Sequence, residues 1–181
     1  SAGFDALGIG SMEEPGFLRE AGIELPMYFD QGMYSWNHLA GAAMERYGAD
    51  RLTIPVELNE REIRDSGVQG EMIVYGYLPM MISAQCIRKT TLGCSGKSEI
   101  MWLKDRKDMR FPVVNQCRFC YNTIYNSAPL SLLGLSEQVT GLKPNAVRLN
   151  FTVEEPAAAG EILDAFFEEY GMSEKAAEPP V

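Results

Sequence analysis

The sequence predicts an α/β fold: part of a parallel (β/α) barrel with a cysteine-bearing irregular insertion between its last strands. Three observations predict it. Short apolar runs alternate with helix-type segments over the first 77 residues, in units of about 20–25 residues, as crossovers between parallel strands require. The alternation breaks between Leu78 and Leu130, where no clean helical period exists. After Leu130 it resumes as helix, strand and helix to the end of the chain.

The elements follow in order. Residues 4–10 (FDALGIG) form an apolar run ending in glycine, as a buried strand does. Glu13, Glu14 and Pro15 suit a helix start, where acids meet the dipole and proline occupies the first turn; that helix stops at Gly22. Residues 26–31 read as a second strand. Ser35 is an N-cap for a helix running to Tyr47, and Gly48 is its C-cap. Residues 50–57 make a third strand, and Asn59 caps a short helix stopped by Gly67. Residues 71–77 make a fourth. Inside the break, 99–103 and 109–114 form a small antiparallel piece around KDRKD. Residues 130–140 read as helical and 146–152 as a strand. From Pro156 to Tyr170, Ile162, Leu163, Phe166 and Phe167 share one helical face.

This reading makes residues 1–175 a single domain, with 78–130 an insertion within it and 172–181 a flexible tail. A complete eight-stranded barrel takes about 250 residues, and this chain has 181. Two architectures fit: an open α/β sheet, or the second half of a barrel. We expect the half-barrel, as a fragment of a larger protein. Its open sheet edge beside Phe4 would then pair with a second copy.

Composition narrows the class. The chain is 46% hydrophobic, 10% aromatic and 23% charged, enough to build a core, which excludes disorder along its length. No run approaches the ~18 apolar residues of a membrane span. No basic segment followed by an apolar one opens the chain as a signal peptide would, so a cytoplasmic location is expected. A net charge of -9 does not advertise a nucleic-acid surface, although local patches can steer one. Bases do gather locally: Arg88, Lys89 and Lys97, then Lys104, Arg106, Lys107 and Arg110. A solvated loop accounts for them more simply.

The four cysteines, Cys86, Cys94, Cys117 and Cys120, all lie in the middle of the chain. Cys117 and Cys120 form a C-x-x-C, whose spacing sets two sulfurs on one side of a tight turn. Cys86 and Cys94 could supply two more, and thiolates suit zinc or an iron–sulfur centre. A redox dithiol and free thiols are the other readings.

The segment EMIVYGYLPMMISAQC (71–86) resembles the signature of the peptidase U32 family, the collagenase-like proteases. AGAAMERYGADRLTIPVELNEREI (40–63) and FPVVNQCRFCYNTIYNSAPLSLLG (111–134) are similar to neighbouring segments of the same family. The resemblance covers nearly all of residues 4–155. The family's signature histidine aligns with Tyr75, its first signature cysteine with Pro79 and its second with Cys86; Cys94 is an extra thiol. The resemblance implies a βα barrel with a four-cysteine site for a 4Fe–4S cluster or zinc. It also implies a link to hydroxylation of RNA bases or small aromatic molecules, with RNA or a small molecule as substrate.

In such a barrel, chemistry sits at the carboxyl ends of strands: Gly10-Ser11, Asp30-Gln31, Glu57 and Tyr75-Gly76. Gln31 and Glu57 match polar family positions there and are candidate pocket residues; helix capping explains them equally well. The peptidase name finds no machinery. His38, the sole histidine, reads as a partly exposed helical residue rather than a base beside a nucleophile. Neither H-E-x-x-H nor G-x-S-x-G occurs, no sequence signal selects an aspartic dyad, and GIGS (8–11) is too short to mark a nucleotide site. Met72, Met80 and Met81 read as core filler. The alternative is a non-catalytic, zinc-stabilised structural or binding fragment.

Overall fold

A computed structural model of the protein describes residues 3–171. The tail expected over 172–181 lies outside them. The described chain divides into two compact units. One runs to Ile73 and includes Leu135–Arg148; the other comprises Val74–Gly134 and the chain from Leu149.

In the first unit, β1 (Leu7–Ile9), β2 (Met27–Phe29) and β3 (Arg51–Leu52) form a parallel sheet in that order. Gly8, Tyr28 and Arg51 stand in one lateral row, and Ile9, Phe29 and Leu52 in the next. Side chains alternate across a sheet, so the two rows face opposite ways. The apolar row joins Met33, Met44 and Val68 in a buried core. Helix α1 (Glu14–Glu20) begins with a proline in its first turn, as expected. Helix α2 (His38–Tyr47) is capped by Asn37, whose side chain accepts a hydrogen bond from the Ala40 amide, and ends at Gly48 with φ 116°. Ser35 is not the cap: it is buried and its hydroxyl donates to the Thr53 carbonyl. A Cβ on Gly41 would lie 3.4 Å from Val68, so α2 packs closely here because the residue is small. Helix α3 (Glu60–Ser66) carries the expected Asn59 cap as a reciprocal box with Glu62, and stops at Gly67.

In the second unit, the stretch expected to be irregular is a regular sheet. Strands β5 (Pro79–Ser83), β6 (Ile100–Lys104), β7 (Arg110–Gln116) and β8 (Tyr121–Tyr125) pair antiparallel in the order β5-β8-β7-β6. The β6–β7 hairpin is the one expected from the sequence, and the Asp105 carboxylate accepts from the Lys107 and Met109 amides in its turn. A short helix, Ile87–Thr91, follows β5. A third sheet has the order β10-β4-β9, where β4 is Glu71–Gly76, β9 Leu130–Ser131 and β10 Ala146–Asn150. The division between the units falls inside β4 and β10. The C-terminal helix, Pro156–Glu169, buries Phe166 and stacks it on Tyr170 at 4.6 Å.

The fold class therefore differs from the partial parallel barrel expected. The described residues form three small sheets, and only the first is wholly parallel, with three strands of two or three residues. Strand β4 enters a different sheet, where β9 runs antiparallel to it. The segment expected as a helix over 130–140 is β9 followed by a short helix at Ser136–Gly141. The cause is local. Polar-apolar alternation is absent from β5, where four of five residues are exposed, and Pro112 interrupts the strand signal of β7.

Candidate functional site

The antiparallel sheet brings the cysteines to one end. β5 and β7 finish there, and β6 and β8 start there, because Ser83 pairs with Asn122, Gln116 with Tyr121 and Ile100 with Val114. Each strand end leads into or out of a cysteine segment. Cys86 caps the short helix after β5, its sulfur accepting from the Lys89 amide at 3.4 Å. Cys117 opens a 3-10 turn directly after β7, and Cys120 closes it in the left-handed conformation, φ 54°. Cys94 lies in the loop leading to β6.

Two ties hold these segments together. The Asn122 amide donates to the carbonyls of Ser83 and Gln85 just before Cys86. The Cys117 amide donates to the Ser98 hydroxyl, four residues after Cys94. The Cys94 thiol is close enough to the Cys117 thiol to raise its pKa. Partial burial, then Cys94, then Cys120 and Cys86 all push the Cys117 thiol above its usual pKa, so all four sulfurs share one electrostatic neighbourhood. All four cysteines are free. Among the described residues, no three His, Cys, Asp or Glu side chains form a ready metal-holding group. The thiols are gathered without meeting at a point. Beside them, on β7 and β8, Asn115 and Asn122 are buried register partners. Among the described residues, both polar side-chain atoms of Asn115, and Oδ1 of Asn122, have no hydrogen-bond partner.

The second unit also buries Tyr75 against Phe151, with ring centroids 5.7 Å apart. Burial, reinforced by the Glu154 carboxylate and Tyr77, raises its hydroxyl to a pKa of about 12. Tyr75 is thus a protonated phenol throughout the neutral range.

A separate feature lies wholly within the first unit. The polar row of its parallel sheet lines a cavity of about 440 Å³. Gly8 and Gly10 form one wall, where an added Cβ would meet nothing within 4 Å. Tyr28 on β2 and Asp30 just after it follow, then Arg51 on β3 and Thr53 just after it, then Glu71 and Arg148. The Arg148 guanidinium contacts Asp30 at 2.6 Å and Glu71 at 3.0 Å. Arg51 lies over the Tyr28 ring at 4.5 Å and only 3.9 Å from Glu71.

Sequence reasoning named Gly10 and Asp30 as strand ends but missed Arg51, Glu71 and Arg148. The available signal was spacing: Tyr28/Asp30 and Arg51/Thr53 are polar pairs at i, i+2, flanking buried Phe29 and Leu52. Gln31 and Glu57 do not line this cavity. Gln31 opens a 3-10 turn after β2 and buries its Oε1 without a partner among the described residues, while Glu57 is exposed ahead of α3. The structure does not bring the two to one cavity. His38 is exposed at the start of α2. No helix among the described residues is long and apolar enough to cross a membrane. No protein-family model, no curated protein and no solved structure matches this chain.

Proposed function

We propose that this chain is a cysteine-ligated metal-centre protein of peptidase U32 type, acting in the cytoplasm on RNA or a small aromatic molecule. The observation that carries the reading is topological: four strand ends at one end of one sheet, each adjoining a cysteine segment. The donor chemistry fits a soft metal, because four thiols of one neighbourhood are otherwise mutually unfavourable once ionised. Orphaned polar atoms on Asn115 and Asn122 beside them fit hydrogen bonding to ligating sulfur. Cys86, Cys94, Cys117 and Cys120 would hold the group. Bound there, a 4Fe–4S cluster supplies electron transfer, whereas zinc fastens the strand ends. The chain's own residues position the sulfurs: Asn122 holds the Cys86 segment and Ser98 holds Cys117.

Charge supports RNA as the partner. Residues 74–134 carry eight Lys and Arg against three Asp and Glu, in a chain of net charge -9. On β6, Trp102 is 54% exposed on the same face as Ile100, Lys104 and, across the hairpin, Arg110. A flat ring among cations is what a single strand stacks on. Self-association belongs to the same reading: β1 ends its sheet and Phe4 is exposed beside it.

Anaerobic purification with elemental analysis tests the metal centre. Iron with visible absorbance supports the cluster, and about one zinc per chain supports the structural alternative. Each Cys→Ser variant should lower metal content. Metal-free protein under both aerobic and anaerobic preparation would remove the proposal.

A further inference from the structure

The cavity of the first unit is independent of the cysteine end, and its charges specify a ligand class. We infer that it binds a free α-amino acid by its zwitterionic head. Four ionised side chains line it, Asp30, Glu71, Arg51 and Arg148, and their formal sum is zero. They are not equally engaged. Arg148 is neutralised from two sides, by Asp30 Oδ1 at 2.6 Å and by Glu71 at 3.0 Å. Arg51 makes no hydrogen bond among the described residues and reaches Glu71 only at 3.9 Å. Its planar fork, resting on the Tyr28 ring, is a preformed bidentate carboxylate receptor. Asp30 keeps Oδ2 free of hydrogen bonds among the described residues, and Thr53 lines the same cavity.

One spare cationic fork and one spare carboxylate oxygen therefore face the same space. Arg51 pairs in register with Tyr28, two positions before Asp30, so both side chains stand on the cavity face of the sheet. A carboxylate and an ammonium carried on one ligand would each find an opposite charge there. A plain anion would meet Asp30 and Glu71, and a plain cation would meet both arginines, so each is disfavoured relative to a ligand bearing both charges. The ligand's side chain has room over Gly8 and Gly10, where the wall carries no Cβ.

The test uses the intact chain. Saturation-transfer NMR with the twenty common L-amino acids finds the best binder, which is then titrated beside its decarboxylated amine and its deaminated acid. The expected result is binding of at least one amino acid, with each half-analogue weaker by about tenfold or more. Arg51→Met and Asp30→Asn should each weaken binding. Gly8→Leu, which fills the cavity at a position of ordinary φ, should abolish it without altering charge. Binding should be the same in metal-loaded and metal-free protein, which separates this site from the metal centre. No amino acid bound, a half-analogue bound as tightly as its parent, or affinity untouched in both Arg51→Met and Gly8→Leu would overturn the inference.

Discussion

At the scale of single residues, two buried side chains make measurable claims. Tyr75 has its hydroxyl raised to about 12, first by burial and then by Glu154 and Tyr77. An unfolded tyrosine titrates near pH ~10, so the native state holds its proton longer than the unfolded state. The resulting stability is fully present below pH ~10 and is lost as pH rises to about 12. Ultraviolet titration of tyrosinate should show a late-ionising set, because burial also raises Tyr125 and Tyr170, and Glu154→Gln should bring the Tyr75 contribution down toward the ordinary value. A spectrum in which all tyrosines ionise together counts against this burial. Asn122 is the second case. Its amide holds two backbone carbonyls, so Asn122→Leu should destabilise by about 1–3 kcal/mol in urea unfolding. If the cysteines hold a metal, the same variant should lower metal content, because it frees the segment before Cys86. Neither role was legible in sequence: Asn122 sits in YNTIY like any strand residue, and its partners are 37 and 39 positions away.

At the scale of elements, local rules succeeded where local chemistry decides. The cap of α3 was readable because Asn59 and Glu62 stand three residues apart and Gly67 takes a left-handed conformation. Asn59→Ala should cost about 1 kcal/mol, seen as a fall in thermal midpoint. The cap of α2 was misplaced by two residues because Ser35 and Asn37 are both competent, and only tertiary contact commits Ser35 to the Thr53 carbonyl. Gly76 shows another tertiary demand. Its φ is 155° and an added Cβ would fall 2.6 Å from the Asn150 carbonyl oxygen. Gly76→Ala should therefore destabilise by about 1–3 kcal/mol or more, and a neutral variant by chemical denaturation would contradict the close approach. Strands β5 and β8 were invisible because edge exposure removes alternation in one and polar residues fill the other.

At the scale of the whole molecule, charge and metal give the sharpest expectations. If residues 74–134 engage RNA, affinity should fall steeply with salt, and Trp102→Ala should weaken binding by about 1–3 kcal/mol. Binding insensitive to both would remove that role. Chelation of a bound metal should reduce hydrogen-exchange protection in β7 and β8 before that in β2, since the strand ends at the cysteines lose their tie. The linear chain by itself determined the helix caps, the β6–β7 hairpin, the apolar row of the parallel strands and the concentration of thiols in one segment. Those depend on neighbours a few positions apart. Tertiary structure alone decided that the strands divide among three sheets, that four separated cysteines share one sheet end, and that Arg148 meets Asp30 across 118 positions. Strand pairing and charge pairing at such separations depend on which partner reaches a group first in the folded chain, and no local pattern encodes that competition.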